Sequence, residues 1–347
     1  MLTPPDAGLP PAQLDAAVER SWGITVTSIG YRPVGWGSHH WEASDANGSR
    51  WFVTADELAN KTLSENEPLT AAYGRLRASL AAARALQDAG HEFVVAPVPA
   101  KDGEPLTRVN DAYGLAVYPF VEGQSFQWAE FASPEHRLAV LGLLVEVHTA
   151  GVRWPALTDD FAIPHRDELE AACTGARVRD CGPYAQPVSE LLARHAAPLR
   201  RLLAQYDARV PEAQASPVRA VLTHGEPLPG NTMLTAEGWR LIDWDTALIA
   251  PPERDLWSLD PGDGSIFQAY ADATGVRPLP ALMGLYRLRW DVADIAVDVS
   301  RFRRPHDGSP EDDKSWELLS SLVESVISGP PQRETPAETR DGIGPSE

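Results

Sequence analysis

The chain has 347 residues, 43% of them apolar and 23% charged, which is enough for one large or two ordinary domains with sizeable cores. Its formal net charge of −19 argues against nucleic acid or an anionic membrane surface as a partner, and no run of about 18 apolar residues suggests a membrane span. The N-terminal stretch lacks the basic start and apolar core of a signal peptide, and Cys173 and Cys181, without His neighbours, read as free thiols, so a cytoplasmic protein is expected.

In chain order, residues 1–11 are Pro-rich, and Pro11 to Arg20 suits a short helix with Leu14, Ala17 and Val18 on its apolar side. Ile24 to Val34 alternates imperfectly and predicts a first strand. The glycine-marked turn Gly35-Trp-Gly37-Ser38-His leads to a second strand over His40 to Ala43. After Asp45-Ala-Asn-Gly48, Arg50 to Ala55 predicts a third strand, completing a β-meander. Leu69, Tyr73, Leu76, Leu80, Ala83 and Leu86 recur at three- and four-residue steps, the pattern of a long amphipathic helix that Gly90 ends. Phe93 to Val98 reads as a fourth strand, and Gly114 to Val121 as a buried fifth that Pro119 stops.

From about residue 125 the composition turns helical. Ser133-Pro134 is a cap with proline at the first helical position, and Leu138, Leu141, Val145 and His148 follow on one face. Further helices are expected at Asp167–Ala172, Pro187–Tyr206, Ser265–Ala273, Pro280–Val299 and Pro310–Ile327, with short strands at Ala220–Thr223, Thr232–Leu234 and Trp239–Asp243. Ser328 to Glu347 has no apolar period and predicts a disordered tail. The expected division is therefore 1–121, 122–328 and a tail of 329–347.

The chemistry concentrates in His224-Gly-Glu226-Pro-Leu-Pro-Gly-Asn231 and Leu241-Ile-Asp243-Trp. Phosphoryl transfer to a hydroxyl needs a carboxylate to orient the nucleophile and take its proton, and side chains that hold Mg²⁺ against the phosphates. Glu226, Asn231 and Asp243 offer these groups in that order. Pro227 and Pro229 bias the residues before them towards extended backbone and stiffen the loop. Asp245, two residues past Asp243, is either a second metal contact or a strand-end cap, and the cap is preferred. His148 reads as a hydrogen-bonded core residue, and His39-His40 as a solvated turn. The eleven tryptophans read mainly as packing, with Trp128, Trp154, Trp257 and Trp290 as candidates to stack on a substrate ring.

His224-Gly-Glu226…Asn231, Ile242-Asp-Trp244 and Asp255-Leu256 resemble the catalytic-loop and metal-binding motifs of the aminoglycoside phosphotransferase family, over roughly residues 24–300. The resemblance implies an α+β, protein-kinase-like bilobal fold: a small antiparallel-sheet N-lobe of five strands with one long helix, and a mostly helical C-lobe. It implies ATP and Mg²⁺ as cofactors, Glu226 as the acceptor-orienting base, Asn231 and Asp243 as Mg²⁺ ligands, and Asp255 as a buried organiser of the loop. His224 becomes a structural residue. Gly35, Gly37 and Ser38 would lie over the phosphates, and backbone near Tyr118, Phe120 and Val121 would bind adenine. The acceptor would be a small hydroxylated molecule: an aminoglycoside-like antibiotic, an amino-sugar or a small amino alcohol. The acidic balance favours a cationic one, although the same charge serves solubility alone. The protein would act as a monomer or homodimer.

Two departures stand out. Glu226 occupies the place of the family's usual Asp, adding one methylene. The third strand presents Thr54 where a phosphate-gripping Lys is expected, and the long helix lacks the partner acid in its middle. Either Lys61, Arg77 or Arg84 reaches the phosphates from another direction in an active kinase, or the chain is a catalytically impaired nucleotide- or ligand-binding protein, or the site serves another nucleotide chemistry.

Overall fold

A computed structural model describes residues 1–328 except 6–7, 129, 152–154, 176–180 and 216–219, so Trp154 and the expected tail at 329–347 lie outside the described residues. The chain opens with helix α1 (Pro11–Trp22), started by Pro11 and stopped by Gly23 in the left-handed region. Strands β1 (Val26–Arg32), β2 (His39–Asp45) and β3 (Arg50–Glu57) form the meander. Beyond a 3₁₀ turn at Leu58–Lys61 come helix α2 (Leu69–Asp88), strands β4 (Thr107–Arg108) and β5 (Tyr113–Pro119), and the short strand β6 (Gln124–Ser125).

The first five strands make one antiparallel sheet in the order β1-β2-β3-β5-β4. Alternation assigns its faces. Trp41, Ala43, Val53, Ala55, Leu115 and Val117 pack with Leu9, Leu14 and Val18 on one side. Thr54 and Ala116, paired in register, turn to the other, where Ala116 meets Leu76 and Leu80 of α2. Thr54 and Asp56 therefore share a face with the cleft.

The sheet has the expected five strands, but its fourth is Thr107–Arg108 and not Phe93–Val98. Phe93–Val98 is instead an extended connector. Leu241 N–H donates to the Phe93 carbonyl at 2.8 Å, Val95 N–H to Leu241 at 3.0 Å, and Val98 N–H to Val117 at 2.7 Å. Its bonds are divided between two lobes, and Pro97 has no N–H to continue a ladder.

The C-lobe continues with α3 (Pro134–Thr149), capped by the Ser133 hydroxyl accepting from His136 N–H at 3.2 Å, and α4 (Arg166–Cys173). Next comes α5 (Ala185–Ala215), which runs well past the expected Tyr206 and through Pro198 and Pro211. Each proline removes one helical N–H, but buried Val188, Leu191 and Leu192 before Pro198, Leu199, Leu203 and Tyr206 between the prolines, and Ala213 after Pro211 anchor the helix to its neighbours. Then follow β7 (Val221–Thr223), β8 (Thr232–Thr235), β9 (Gly238–Leu241), β10 (Leu248–Ala250), α6 (Glu253–Leu256), α7 (Ser265–Thr274), α8 (Pro280–Phe302) and α9 (Pro310–Ser328). β6, β8 and β9 form a three-stranded sheet, and β7 pairs with β10.

One apolar cluster joins the end of α2 (Ala83, Leu86) to α3 and to Leu241 and Trp244, and so seats the N-lobe helix on the segment that carries the motifs. A second holds α4, α5, α8 and α9 together below it. Among the described residues no helix is long and apolar enough to cross a membrane, and neither Cys173 nor Cys181 is in a disulfide.

Candidate active site

β7 ends at Thr223, and the next two amides turn onto one buried carboxylate. His224 N–H donates to Asp255 at 2.9 Å and Gly225 N–H at 2.6 Å. His148 sits 3.0 Å from the same carboxylate and 3.1 Å from the Tyr270 hydroxyl. Burial works against ionisation of Asp255, but the His148 hydrogen bond and the nearby charges of His148, Arg254 and His224 together outweigh it and hold the group below the usual carboxylate range. The core histidine expected at position 148 is thus tied to the organiser of the loop.

His224 joins the two motif segments. The Ile242 carbonyl at 2.9 Å from Nε2 makes that nitrogen the donor, and Nδ1 accepts from Glu226 N–H at 3.2 Å. Burial depresses its pKa, so the ring works as a neutral brace. Asn231 closes the loop by donating Nδ2–H to the Glu226 carbonyl at 2.9 Å, while Ile242 N–H donates to the Asn231 carbonyl at 3.0 Å. The amide nitrogen is engaged, so Oδ1 is the atom available to a cation.

Asp243 was expected within the strand that begins at Trp239, but β9 stops at Leu241. Asp243 has φ 65°, a left-handed conformation that Asp tolerates and that no strand accommodates. The turn exposes its carboxylate to the cleft. Desolvation by the cleft walls, then the charges of Asp245 and Glu226, raise its pKa, and desolvation and Asp245 push Glu226 up to about 7.

Asp245 is not a strand cap. Its carboxylate lies 2.6 Å from the Lys61 ammonium, which is also 3.1 Å from Asp56 on β3. Burial opposes charge on both Asp245 and Lys61, yet the pairing wins: Asp245 stays below the usual range and Lys61 well above its own. Ser38 donates to Asp56 at 2.6 Å, and a Cβ built on Gly37 would stand 4.0 Å from the Lys61 ammonium. The glycine turn therefore lies over Lys61, with Gly35 and Gly37 both at positive φ. Of the three candidate cations, Arg77 is engaged with Glu104 at 2.7 Å and Arg84 with Gln87 at 2.6 Å and Asp88, away from this cluster.

Thr54 is buried, 3.2 Å from His40 Nδ1. The His39-His40 pair is no solvated turn. Both belong to β2, His39 buried and His40 stacked on Phe52, and burial and nearby Lys61 push the His40 pKa down to about 3. At the expected hinge, Tyr118 faces Asp56 and Asp243 closely enough for their charges, after burial, to raise its phenol. Phe120 N–H is spent on the Arg50 carbonyl at 3.1 Å, and Val121 is half-buried. Trp128 packs its indole against Gly230, and Trp257 lies against Trp290.

Three features escaped sequence reasoning. Asp56 is two residues past Thr54, and strand alternation alone puts both on one face. Arg254 presses its guanidinium on Gly225 and donates to Thr223 Oγ1 and the Thr246 carbonyl, both at 2.8 Å. Asp291, Asp294 and Asp298 follow one another along α8, and the charge of Asp294 is felt with that of Glu226.

The residues gathered here define a class: a kinase-like, two-lobed phosphotransferase whose two motif-bearing segments meet below a glycine turn. The model of the phosphotransferase enzyme family matches residues 32–286, and the chain belongs to that family, the aminoglycoside phosphotransferases. Protein StrN of Streptomyces griseus is 32% identical over 247 residues, which are 69% of this chain and 74% of that protein. A spectinomycin phosphotransferase solved with ADP and spectinomycin superposes with a TM-score of 0.65 at 16% identity, over 90% of this chain and 96% of that one. The microcompartment-associated aminopropanol kinase gives 0.58 at 14% identity, over 91% and 95%. These likenesses bear out the bilobal α+β fold.

Proposed function

We propose that the chain catalyses ATP- and Mg²⁺-dependent phosphorylation of a hydroxyl on a small cationic molecule. The observation that carries this reading is the Lys61 ammonium held between Asp56 and Asp245, beside Asp243 and Glu226. It supplies the positive charge that Thr54 lacks, from a turn seven residues further on.

The donor set fits a divalent cation. Four carboxylates, Asp56, Glu226, Asp243 and Asp245, share one ammonium, an excess of negative charge that a metal ion relieves. Among the described residues no three His, Cys, Asp or Glu side chains form a self-sufficient metal cage. That suits Mg²⁺, which binds through one or two carboxylates and completes its shell with substrate phosphates and water. Asn231 Oδ1 and Asp243 would hold it, and when bound it neutralises charge on the phosphate oxygens. Lys61 and the Gly35–Ser38 turn would position the phosphates, and backbone near Tyr118 and Val121 would hold adenine. Glu226 would accept the acceptor's hydroxyl proton. In the free protein, burial and then the Asp245 charge raise its pKa to about 7, so the carboxylate has the basicity to take a proton.

Asp291, Asp294 and Asp298 support a cationic acceptor, because Asp294 looks towards the base and each of the three carboxyls is raised by desolvation. An ammonium on the substrate would restore their charge. A screen of ATP consumption over aminoglycosides, amino-sugars, amino alcohols and their uncharged analogues tests this. Turnover confined to cationic acceptors, falling by about 10²-fold or more in Glu226→Gln, is the expected result. Binding of Mg-ATP with no turnover on any acceptor, unchanged by Glu226→Gln, would overturn it.

A further inference from the structure

Helix α2 has no acid in its middle to hold a phosphate-gripping ammonium, and two other residues on it bear on the same place. Arg75 and Ser79 are four apart, so they occupy one face a turn apart. Arg75 donates to the Lys61 backbone carbonyl at 2.8 Å and pairs with Glu67 through both of its terminal nitrogens. Glu67 in turn accepts Leu63 N–H at 2.6 Å, and the Leu63 carbonyl accepts His165 N–H, from the C-lobe, at 2.7 Å. Arg75 first, against some desolvation, holds the Glu67 carboxyl below its usual range, so the pair stays ionised. One turn along, the buried Ser79 hydroxyl donates to the Ala247 carbonyl at 3.0 Å, two residues past Asp245.

The helix thus fastens the backbone behind each partner of the Lys61–Asp245 pair. The requirement is physical. Lysine is a point charge on a flexible four-carbon stem and loses much rotamer freedom when held. An ammonium presented from a one-turn 3₁₀ segment, Leu58–Lys61, has a defined position only if its own backbone is fixed.

We propose that Arg75 and Ser79 are positioning residues of the phosphate-binding site, setting Lys61 against Asp245 and the metal-binding turn from a single face of α2. Their role replaces a side-chain ion pair between helix and lysine by a grip on main-chain carbonyls. The proposal rests on Lys61 as the phosphate-binding cation.

The test compares Mg-ATP and adenosine binding by titration calorimetry in the full chain and in Arg75→Met, Arg75→Lys, Ser79→Ala and Lys61→Met. Arg75→Met is expected to weaken Mg-ATP on the order of tenfold, the usual consequence of losing a hydrogen bond from a charged donor. Ser79→Ala should weaken it by about threefold, in line with a neutral hydrogen bond. Adenosine, which carries no phosphate, should bind all four variants like the parent, and Arg75→Lys should recover part of the loss, since an ammonium still donates to a carbonyl. A general disturbance of the lobe would weaken both ligands alike. Equal weakening of adenosine and Mg-ATP by Arg75→Met, or no change in either, overturns the proposal. If Lys61→Met weakens Mg-ATP and Arg75→Met does not, only the positioning role falls. If Lys61→Met binds Mg-ATP like the parent, the reading of Lys61 falls and the positioning role with it.

Discussion

Gly225 shows how little room the proposed base, Glu226, has. Its φ is 99°, and a Cβ there would stand 2.5 Å from the Arg254 guanidinium. Gly225→Ala would therefore incur left-handed strain, of order 1–3 kcal/mol, and would push Arg254 off Thr223 and Thr246. A lowered melting temperature and a reduced kcat are expected, read by calorimetry and by the ATP-consumption assay. The base itself carries a second test. Glu226 reaches ~1.5 Å further than Asp, about one C–C bond, and its amide is fixed on His224. Glu226→Asp should keep the affinity for Mg-ATP and lower kcat by about 10²-fold, as misplacement of about 1 Å does. A variant as fast as the parent would show that the backbone does not depend on the longer side chain.

On α8 the three aspartates make the protein's stability depend on pH. Desolvation raises Asp291 to about 6, Asp298 to about 7 and Asp294 to about 8. Their unfolded values lie near 3.9. The stability they contribute is thus full below about pH 4 and is lost as pH rises through about 6 to 8. Asp294 still meets water in the cleft, so screening makes the energetic effect smaller than the shift alone implies. The melting temperature of the free protein should fall between pH 5 and pH 8, and Asp294→Asn should flatten that slope. An unchanged slope in the variant would remove Asp294 from the account. The three-, four- and seven-residue spacing of these acids is legible in the sequence, but it does not say what the face looks at. α5 makes the complementary point. The expected helix Pro187–Tyr206 already contained Pro198, and packing against α4, α8 and α9 carries it on through Pro211 to Ala215.

Among the described residues, several bonds between the two lobes lie at or beside the site. Lys61–Asp245, Ser79 to Ala247 and His165 to Leu63 all cross between them, and Leu2 and Thr3 amides donate to Glu311 of α9 at 2.8 Å. A ligand touching both lobes adds to this set. Mg-ATP at a hundred times its dissociation constant should stabilise the fold by about 2.7 kcal/mol, visible as a raised melting temperature. At the same fixed concentration, Lys61→Met should show a clearly smaller rise. The charge of −19 acts over the whole surface and steers cations towards it. Turnover of a cationic acceptor at low concentration should accordingly slow as salt rises from about 0.01 to 0.15 M, where the screening length shortens from about 30 to 8 Å.

Short-range pattern was enough to read the meander, the long helix, the capped α3 and the order of Glu226, Asn231 and Asp243, because periodicity, caps and motif spacing act between near neighbours in the chain. It also marked Thr54 as a site without its charge and named Lys61 among three substitutes. What favours Lys61 in the proposed reading is its pairing with Asp245, 184 residues away, together with the capture of Arg77 and Arg84 by Glu104 and Asp88. The fourth strand, the left-handed turn at Asp243 and the ion pair of Asp245 with Lys61 were decided by tertiary structure. Each depends on which backbone groups and charges from distant segments arrive together, and that is fixed by the packing of α2 on Leu241 and Trp244.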